Sequence, residues 1–465
     1  MNMINVRRLV VMTFLGAGML SDISAQDFSL QADTLNEARL PAQWDLQSCI
    51  DYALEQNITI RKNRVTAEST QIDVKTAKAA LFPSLSFSTS QQVVNRPYQE
   101  TSSRVSGSEI ISSNSKTSYN GNYGLNASWT IYNGSKRLKT LKQERLNNQI
   151  AELDIATSEN TIKESIAQIY IQILYAAESV RVNENTLQVS IAQRDRGQEL
   201  LNAGSIAKSD FAQLEAQVST DRYQLVTAQA TLQDYKLQLK QLLELDGENE
   251  MNVYLPALSD ENVLLPLPTK KDVYMSALTL RPEIEASKLS VEASELGIDI
   301  AKAGYLPTIS LSAGIGTNHT SGSDFTFGEQ VKNGWNNSIG VSVSVPIFNN
   351  RQTKSAVQKA KLQRETSLLS LLDEQKTLYK TIEGLWLDAN SAQQRYAAAN
   401  EKLRSTQISY DLISEQFNLG MKNTVELLTE KNNLLQAQQE QLQAKYMAIL
   451  NTQLLKFYQG DKLAL

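Results

Sequence analysis

The chain contains an internal duplication, and this repeat limits the folds that the chain can adopt. The segment LNAGSIAKSDFAQLEAQ, at residues 201–217, aligns with FNLGMKNTVELLTEKNN, at residues 417–433, when 216 is added to each number. The alignment places Gly204 on Gly420. A glycine between two long apolar-periodic segments predicts a turn between helices, because glycine adopts the left-handed conformation without a steric cost. Each copy therefore predicts the tip of a helical hairpin.

Further matching segments extend the duplication over most of the chain. They are residues 53–60 with 277–284 and 77–88 with 301–312, at an offset of 224, and residues 131–133 with 347–349, at an offset of 216. The eight-residue difference falls in two polar stretches, 96–118 and 318–334. Each half therefore repeats one plan, which is helix, strand, variable loop, strand, long helix, tip and returning helix.

The first helix of each half is expected to end at a proline, Pro83 or Pro307, because the residue before a proline disfavours the helical conformation. Beyond each proline, apolar residues alternate with serine, threonine, asparagine or glycine, and this period of two predicts strands. One face of each strand is apolar and the other is small and polar. The predicted strands cover about residues 83–95, 119–131, 307–318 and 335–348.

The apolar face of such a sheet can be covered in two ways. A soluble sheet would pack that face on a protein core, whereas a membrane barrel would expose it to lipid around a wet lumen. We favour the barrel, because the helices have pairing stripes of their own and no amphipathic segment remains to cover the sheet. Aromatic residues near the predicted strand ends fit the interfacial girdle of a barrel: Tyr119, Tyr123, Trp129, Tyr132, Trp335 and Phe348.

Four strands per chain cannot close a membrane barrel, because such barrels begin at about eight strands. Lipid tolerates no open sheet edge, so the chain is expected to assemble with copies of itself. A dimer would give about eight strands and a lumen filled by side chains, whereas a trimer gives about twelve strands and a usable lumen. The sequence therefore predicts a homotrimer that contacts membrane lipid.

Two segments without an internal proline, about residues 135–201 and 351–417, follow the second strand of each half. As single helices, each would measure about 100 Å at a rise of about 1.5 Å per residue. The returning helix of the second half carries Leu428, Leu435 and Leu442 at heptad spacing, and such stripes need helical neighbours. A segment rich in glycine and proline, residues 246–270, joins the halves and is expected to pack against the helices.

The N-terminal region, residues 1–25, has the layout of a secretory signal peptide. Arg7 and Arg8 precede an apolar run from Leu9 to Leu20, which is too short for a transmembrane helix. Small and polar residues follow this run, and an uncleaved anchor is the alternative to cleavage before Gln26. The expected organisation is a first repeat over residues 26–245, the connecting segment over 246–270, a second repeat over 271–458 and a tail over 459–465.

The composition argues against an enzyme and against a nucleic-acid-binding protein. A net charge of -5 provides no basic footprint for nucleic acid. Cys49 and His319 are the only cysteine and histidine, which excludes disulfides within the chain and cysteine zinc sites, and neither a catalytic triad nor a histidine-based zinc site is apparent. No phosphate-binding loop or dinucleotide fingerprint occurs in the sequence. We therefore expect no catalytic residue, no cofactor and no metal ion.

Taken together, the signal peptide, the duplicated plan, the four alternating strands and the long helices resemble the outer membrane efflux protein family of TolC-like channels. The resemblance covers nearly the whole chain after the signal peptide. It implies an α+β membrane protein of a Gram-negative bacterium, in which a homotrimeric, twelve-stranded outer-membrane β-barrel continues into a long periplasmic α-helical barrel. It also implies that the helical tips form an entrance that is closed at rest and dock a periplasmic adaptor protein, which joins an inner-membrane pump.

The resemblance assigns roles to residues of the tips. Lys422 and Glu426 stand where the family has a basic latch residue and a pore-lining acid. Thr429 departs from the family, which commonly has a second acid there. Asp210 matches a family residue that is hydrogen-bonded to an aromatic hydroxyl of the second tip, but Phe417 has no hydroxyl, so this link is not expected here.

The acids of the tips also have an interpretation that is independent of the family. Asp210 and Glu426 lie six residues after the glycine of their tip, on the first turns of the returning helix. The helix dipole alone favours acids there, whereas three copies of Glu426 near a symmetry axis would attract cations. Both alternatives stay open for Asp210, and we favour the pore for Glu426.

The sequence predicts a passive export channel that is driven by partner proteins, because the chain shows no nucleotide site of its own. The alternative is a secreted, trimeric coiled-coil structural or adhesin-like protein without channel activity, whose strands form a small soluble head.

Overall fold

A computed structural model of the chain describes residues 41–98, 102–106, 109–113, 116–245, 251–256, 260, 263–321, 323 and 325–463. The predicted signal peptide lies outside these residues. The chain divides into two units, and the smaller one includes Trp44 and Val253, which pair as a parallel bridge. All the elements described below belong to the larger unit.

The first half of the chain contains the following described elements. The helices are α1 (Leu46–Gln56), α2 (Ile58–Ala79), α3 (Lys136–Asn202) and α4 (Lys208–Leu242), and the strands are β1 (Ser84–Asn95), β2 (Ser102–Ser106), β3 (Glu109–Ser113) and β4 (Thr117–Asn133). Helix α3 is 67 residues long, which corresponds to about 100 Å at a rise of about 1.5 Å per residue. It runs from the end of the second long strand to the first tip.

The second half repeats this order with a helix in place of the short hairpin. Its elements are α5 (Lys270–Leu280), α6 (Pro282–Lys302), β5 (Thr308–Thr320), α7 (Phe327–Asn333), β6 (Asn336–Ser344), α8 (Gln352–Asn418) and α9 (Thr424–Gln459). Helix α8 is also 67 residues long. Its first and last residues follow those of α3 by the same offset that relates the two tips.

Strands β1, β4, β5 and β6 form one antiparallel sheet in the order β1-β4-β5-β6, and β2 pairs with β3 separately. The register sets apolar residues opposite each other, since Leu125 faces Phe87 on one side and Ile315 on the other. On the opposite face, the hydroxyl oxygens of Ser84 and Ser128 lie 2.8 Å apart. The sheet therefore has one apolar face and one face of small, hydrogen-bonded polar side chains.

The sheet region differs from the sequence prediction in two respects. The last strand ends at Ser344 rather than near residue 348, because Pro346 has no N–H for a ladder hydrogen bond. The polar stretches, which we predicted as loops, contain the β2–β3 hairpin and α7. These strands have only 5 residues each, which is too short for a clear alternation. Helix α7 begins with a capping box between Thr326 and Glu329.

The duplication extends to the backbone conformation. Among the described residues, those with positive φ form pairs related by the offset of the two tips: Gly134 with Asn350, Ser135 with Arg351, Gly204 with Gly420, and Glu244 with Gly460. The first two pairs start the long helices, the third makes the tips and the fourth ends the returning helices. Left-handed backbone costs about 1–2 kcal/mol per non-glycine residue. Its repetition at matched positions indicates that each half requires these turns.

Each returning helix is anchored at its end by an equivalent contact. Asn57, which caps α2, donates through Nδ2 to the carbonyl of Leu242 at the end of α4, at 3.1 Å. Arg281 is the counterpart of Asn57 in the second half, at the offset that relates the first helices. Its guanidinium lies 4.2 Å from the ring centroid of Tyr458 near the end of α9, and it donates to Glu164 of α3 at 2.9 Å. The end of the returning helix is therefore held by an amide hydrogen bond in the first half and by a cation–π contact in the second.

Residues 263–268 of the connecting segment contact α8 through their backbone carbonyls. Gln393 donates to the carbonyls of Val263 and Leu265 at 2.9 and 2.8 Å, and the Trp386 indole donates to the carbonyl of Pro268 at 3.0 Å. In the described part of the chain, none of the helices combines the length and the apolar character of a membrane-spanning helix.

Candidate functional site at the helical tips

The two hairpin tips have the same backbone structure. Gly204 and Gly420 have φ angles of 72° and 76°. At the second tip, the N–H groups of Gly420 and Met421 donate to the carbonyls of Phe417 and Gln416 at 2.9 and 2.8 Å, and the first tip has the equivalent two bonds. This Schellman arrangement satisfies carbonyls that the helix end leaves free. A Cβ at either glycine would meet nothing within 4 Å, so the turn requires glycine for its conformation and not for space.

Glu426 is held by two neighbours of its own tip. Its N–H donates to Asn423 Oδ1 at 2.9 Å, and its Oε2 accepts from the Asn423 N–H at 3.3 Å, which completes a capping box at the start of α9. Its Oε1 accepts from Lys422 Nζ at 2.6 Å. These bonds, above all the one from Lys422, hold the pKa of Glu426 below its usual value. The carboxylate is therefore charged and paired at neutral pH.

Asp210 has fewer partners at the equivalent place of the first tip. Its Oδ2 accepts the N–H of Ala207 at 3.2 Å, and the Ala207 side chain has no acceptor to complete a capping box. The structure thus gives Asp210 a local role at the start of α4. Phe417 is buried, with 3% of its surface exposed, and its side chain carries no polar group. The Phe417 ring has no hydroxyl through which it could bond to Asp210.

Thr429 is satisfied within its own helix, because its hydroxyl donates to the carbonyl of Val425 at 2.7 Å. Of the tip residues that the sequence singled out, the structure therefore brings Lys422 and Glu426 together as a direct ion pair. In the described residues, no group of three or more His, Cys, Asp or Glu side chains is placed to hold a metal ion.

A buried ionic cluster lies further along the helices from the tip turns, and it was not predicted from the sequence. Lys431 of α9 donates to Asp221 of α4 and to Ser190 of α3, and the Ser190 hydroxyl donates to Asp221. Gln217 donates to the second carboxylate oxygen of Asp221 at 2.9 Å. The exposed fractions of Ser190, Asp221 and Lys431 are 2%, 1% and 3%. We call these three residues the buried cluster.

The sequence held only a faint signal for the buried cluster. Asp221 interrupts an apolar heptad stripe of α4, and a charge in such a stripe suggests a buried partner. Its partners Ser190 and Lys431 lie 31 and 210 residues away, so no local spacing identifies them. Burial lowers the pKa of Lys431, and the ion pair with Asp221 offsets part of this effect.

A second polar contact joins the two hairpins close to the buried cluster. Gln193 of α3 donates to the hydroxyl of Tyr410 of α8 at 2.9 Å. Gln217 of α4 also lies 3.4 Å from Asn432 of α9. We call α3 with α4 the first hairpin, and α8 with α9 the second hairpin. The first hairpin is therefore hydrogen-bonded to both helices of the second hairpin.

Comparison with known proteins places these features in a family. The sequence matches the family model described as "Outer membrane efflux protein" over residues 49–244 and 273–460. The two matched segments correspond to the two halves of the duplication and together cover most of the chain.

Individual relatives agree with this match. The outer membrane efflux protein BepC of Brucella suis biovar 1 (strain 1330) is 25% identical over 63% of this chain and 61% of BepC. Outer membrane protein TolC of Escherichia coli (strain K12) is 25% identical over 70% of this chain and 66% of TolC, so less than two thirds of either relative is spanned. A crystal structure of CusC shares the fold, with a TM-score of 0.77 and 19% identity over 90% of this chain and 93% of CusC. The chain belongs to the outer membrane efflux protein family of TolC-like channels.

Proposed function

We propose that the chain is the outer-membrane channel of a tripartite efflux or secretion system. It acts as a passive exit duct for substrates that an inner-membrane pump delivers through a periplasmic adaptor protein. The observation that carries this proposal is a four-stranded sheet with an apolar face and two open edges, continued by helices of 67 residues. A small soluble head would bury the apolar face of this sheet in its own core, whereas Phe87, Val341 and Val343 of that face are exposed in the single chain.

The open edges support assembly into a homotrimer. Among the described strands, β1 pairs only with β4, and β6 pairs only with β5, so each edge strand presents unpaired backbone groups. Such groups cost several kcal/mol each in lipid, so a membrane sheet must close. Three copies joined through β6 and β1 give a barrel of about twelve strands with room for a lumen.

An exposed apolar stripe on α8 supports the same assembly in the helical region. Leu362, Leu369, Leu372 and Tyr379 are all exposed in the single chain. Their spacing of seven, three and seven residues is the heptad pattern of a helix that packs against a neighbour. An α-helical barrel, in which α8 contacts the next protomer, would cover this stripe.

We place the entrance of the duct at the tip turns of Gly204 and Gly420, with Lys422 and Glu426 as its charged pair. Asp210, Phe417 and Thr429 lie within nine residues of a tip glycine in the sequence, and we include them in the proposed gate. The geometry of the pair changes the expected electrostatics, because each Glu426 has a lysine at 2.6 Å. A ring of three such pairs attracts cations less strongly than a ring of unpaired acids.

Reconstitution in a planar lipid bilayer tests the proposed function. We expect the protein to be extracted from membranes only by detergent, to run as a trimer, and to form conducting channels. A protein that is soluble without detergent and forms no channel would instead support the coiled-coil alternative.

The charged pair is tested in the same bilayer by block with a trivalent lanthanide cation. Glu426→Gln is expected to weaken the block, because it removes the carboxylates. Lys422→Met is expected to strengthen it, because it removes the neutralising cations and leaves the carboxylates. Identical block in both variants and the wild type would remove this pair from the gate.

A further inference from the structure

The buried cluster differs from the Lys422–Glu426 pair in its exposure to water. Side chains of the pair are 34% and 40% exposed, so water screens the interaction and separation of the charges costs little. Side chains of Lys431 and Asp221 are 3% and 1% exposed. Separating these two groups would leave a charge without a partner in a dry site, which is far more costly. Of the two ion pairs, only the exposed one is suited to breaking and reforming.

The position of the buried cluster divides the hairpins into two regions. Lys431 lies about three helical turns beyond Gly420, and Ser190 lies about four helical turns before Gly204. Asp221 follows Gly204 by nearly five turns, so the cluster lies roughly 16–25 Å from the turns at a rise of about 1.5 Å per residue. Gln193 and Tyr410 make their hydrogen bond on the tip side of Ser190, within the next turn.

Nearer the tips, the side chains make no hydrogen bonds between the two hairpins in the described residues. Residues 194–216 and 411–430 are all described, and their side-chain hydrogen bonds stay within one hairpin. The buried side chains there are apolar with the exception of Thr424, and they include Leu214, Phe417 and Leu427. Apolar contacts are not directional, so one surface can slide on another without breaking specific bonds.

We propose that Ser190, Asp221 and Lys431 form a fixed pivot that joins the two hairpins and sets the length of the segment that moves when the entrance opens. Between the pivot and the tip turns, the two hairpins separate by sliding on their apolar contacts. Behind it, α3, α4 and α9 keep their positions. This inference rests on the proposed gate, since it assigns these residues a positioning role for that gate.

Distance measurements between spin labels test the pivot without requiring conduction. One label pair is placed on the exposed turn residues Ser205 and Met421. A second, rear pair is placed on the exposed residues Gln233 of α4 and Gln443 of α9, which follow Asp221 and Lys431 by twelve residues each. All labels are introduced as cysteines in a Cys49→Ala background, with labelled chains diluted by unlabelled ones. Leu427→Ala is expected to weaken the packing near the tips, because it leaves a cavity at a fully buried side chain.

The double variant Asp221→Leu/Lys431→Met removes the directional bonds without leaving an unpaired buried charge, so it is expected to fold. With the cluster intact, Leu427→Ala should broaden the distance distribution of the tip pair and leave that of the rear pair unchanged. With Leu427→Ala added to the double variant, the rear pair should broaden as well.

Two results would overturn the pivot. One is a rear pair that broadens with Leu427→Ala although the cluster is intact. The other is a rear pair that stays narrow in the folded double variant with Leu427→Ala. Because the readout is a distance, a chain that fails to conduct would refute the proposed function separately, while these distances would still decide the pivot.

Discussion

Gly420 shows how a single backbone conformation defines a tip. Its φ of 76° lies in the left-handed region, and a Cβ there would meet no neighbouring atom. Gly420→Ala is therefore expected to destabilise the turn by about 1–2 kcal/mol through the backbone alone. Faster hydrogen exchange of the amides around residues 417–427 would measure this effect.

Gly384 provides the matched control, because it lies inside α8 and a Cβ there would also meet nothing within 4 Å. Gly384→Ala is expected to stabilise α8 by about 1 kcal/mol, since alanine favours the helix. Equal exchange in the Gly420→Ala variant and the wild type would show that the turn does not depend on glycine.

Glu426 leads to a prediction about pH. Its pKa is lowered from the ordinary value of 4.5, chiefly by the bond from Lys422. A carboxylate with a lowered pKa stabilises the folded state above its ordinary pKa, and this contribution is lost as the pH falls through the lowered value. We expect lanthanide block of the channel to persist at pH 4.5 and to disappear only on further acidification.

The variant Lys422→Met serves as the control for this titration. Without the lysine, the carboxylate should be protonated at a higher pH, so the block should disappear earlier during acidification. A wild-type channel that loses its block at or above pH 4.5 would contradict the role of Lys422 in holding the charge of Glu426.

At the scale of elements, Arg281 is the joint between α6, α3 and the end of α9. Its side chain is 10% exposed, and that of its partner Glu164 is 21% exposed. Arg281→Met is expected to destabilise this region by about 3–5 kcal/mol, because it leaves a largely buried carboxylate without its partner. The midpoint of thermal unfolding, followed by circular dichroism, should fall.

Arg404→Met is the control for Arg281→Met. Arg404 pairs with Glu401 on the surface of α8, and both side chains are well exposed. Such a pair contributes little, so this substitution should leave the unfolding midpoint almost unchanged. Equal midpoints for the two variants would show that the Arg281 joint is not structurally important.

The elements themselves follow from signals that are local in the sequence. Pro83 and Pro307 mark the change from helix to strand, and the period of two beyond them predicted the sheet. Pro346 carried a local signal as well, but the apolar alternation continues through Ile347 and concealed the end of β6. The β2–β3 hairpin could not be predicted, because five-residue strands rich in serine have no distinctive pattern.

At the scale of the whole molecule, the exposed stripe of α8 predicts which substitutions weaken the proposed trimer. Each leucine of the stripe contributes about 1.5–3 kcal/mol when a neighbour covers it. Leu362→Gln combined with Leu369→Gln should therefore weaken the trimer strongly. The fraction of trimer that survives mild denaturation on a native gel measures the loss.

Gln363→Ala with Ser370→Ala is the matched control, since these exposed α8 residues have the same seven-residue spacing and lie about 100° around the helix from the leucines of the stripe. This variant should assemble like the wild type. Unaltered assembly of the leucine variant would show that α8 does not contact a neighbouring protomer through this stripe.

The candidate site was only partly predictable from the sequence. Lys422 and Glu426 are close in the sequence, but Lys422 precedes the N-cap residue Asn423, so their ion pair depends on the capped turn and not on helical spacing. The buried cluster joins three helices across 31 and 210 residues, and only the folded structure shows that Asp221 has partners. Sequence periodicity reports the face of a helix, but it does not report which residue of another helix lies opposite.

The equal length of α3 and α8 restricts how this chain can change over evolution. One residue inserted into either helix would advance everything beyond it by about 1.5 Å and turn it by about 100°. Phe417 or Leu214 would then leave its buried face, and the two tips would no longer end at the same level. We therefore expect insertions and deletions to be tolerated in the polar stretches 96–118 and 318–334, where the two halves already differ by eight residues. In the long helices we expect substitutions to be tolerated, but not a change in the number of residues.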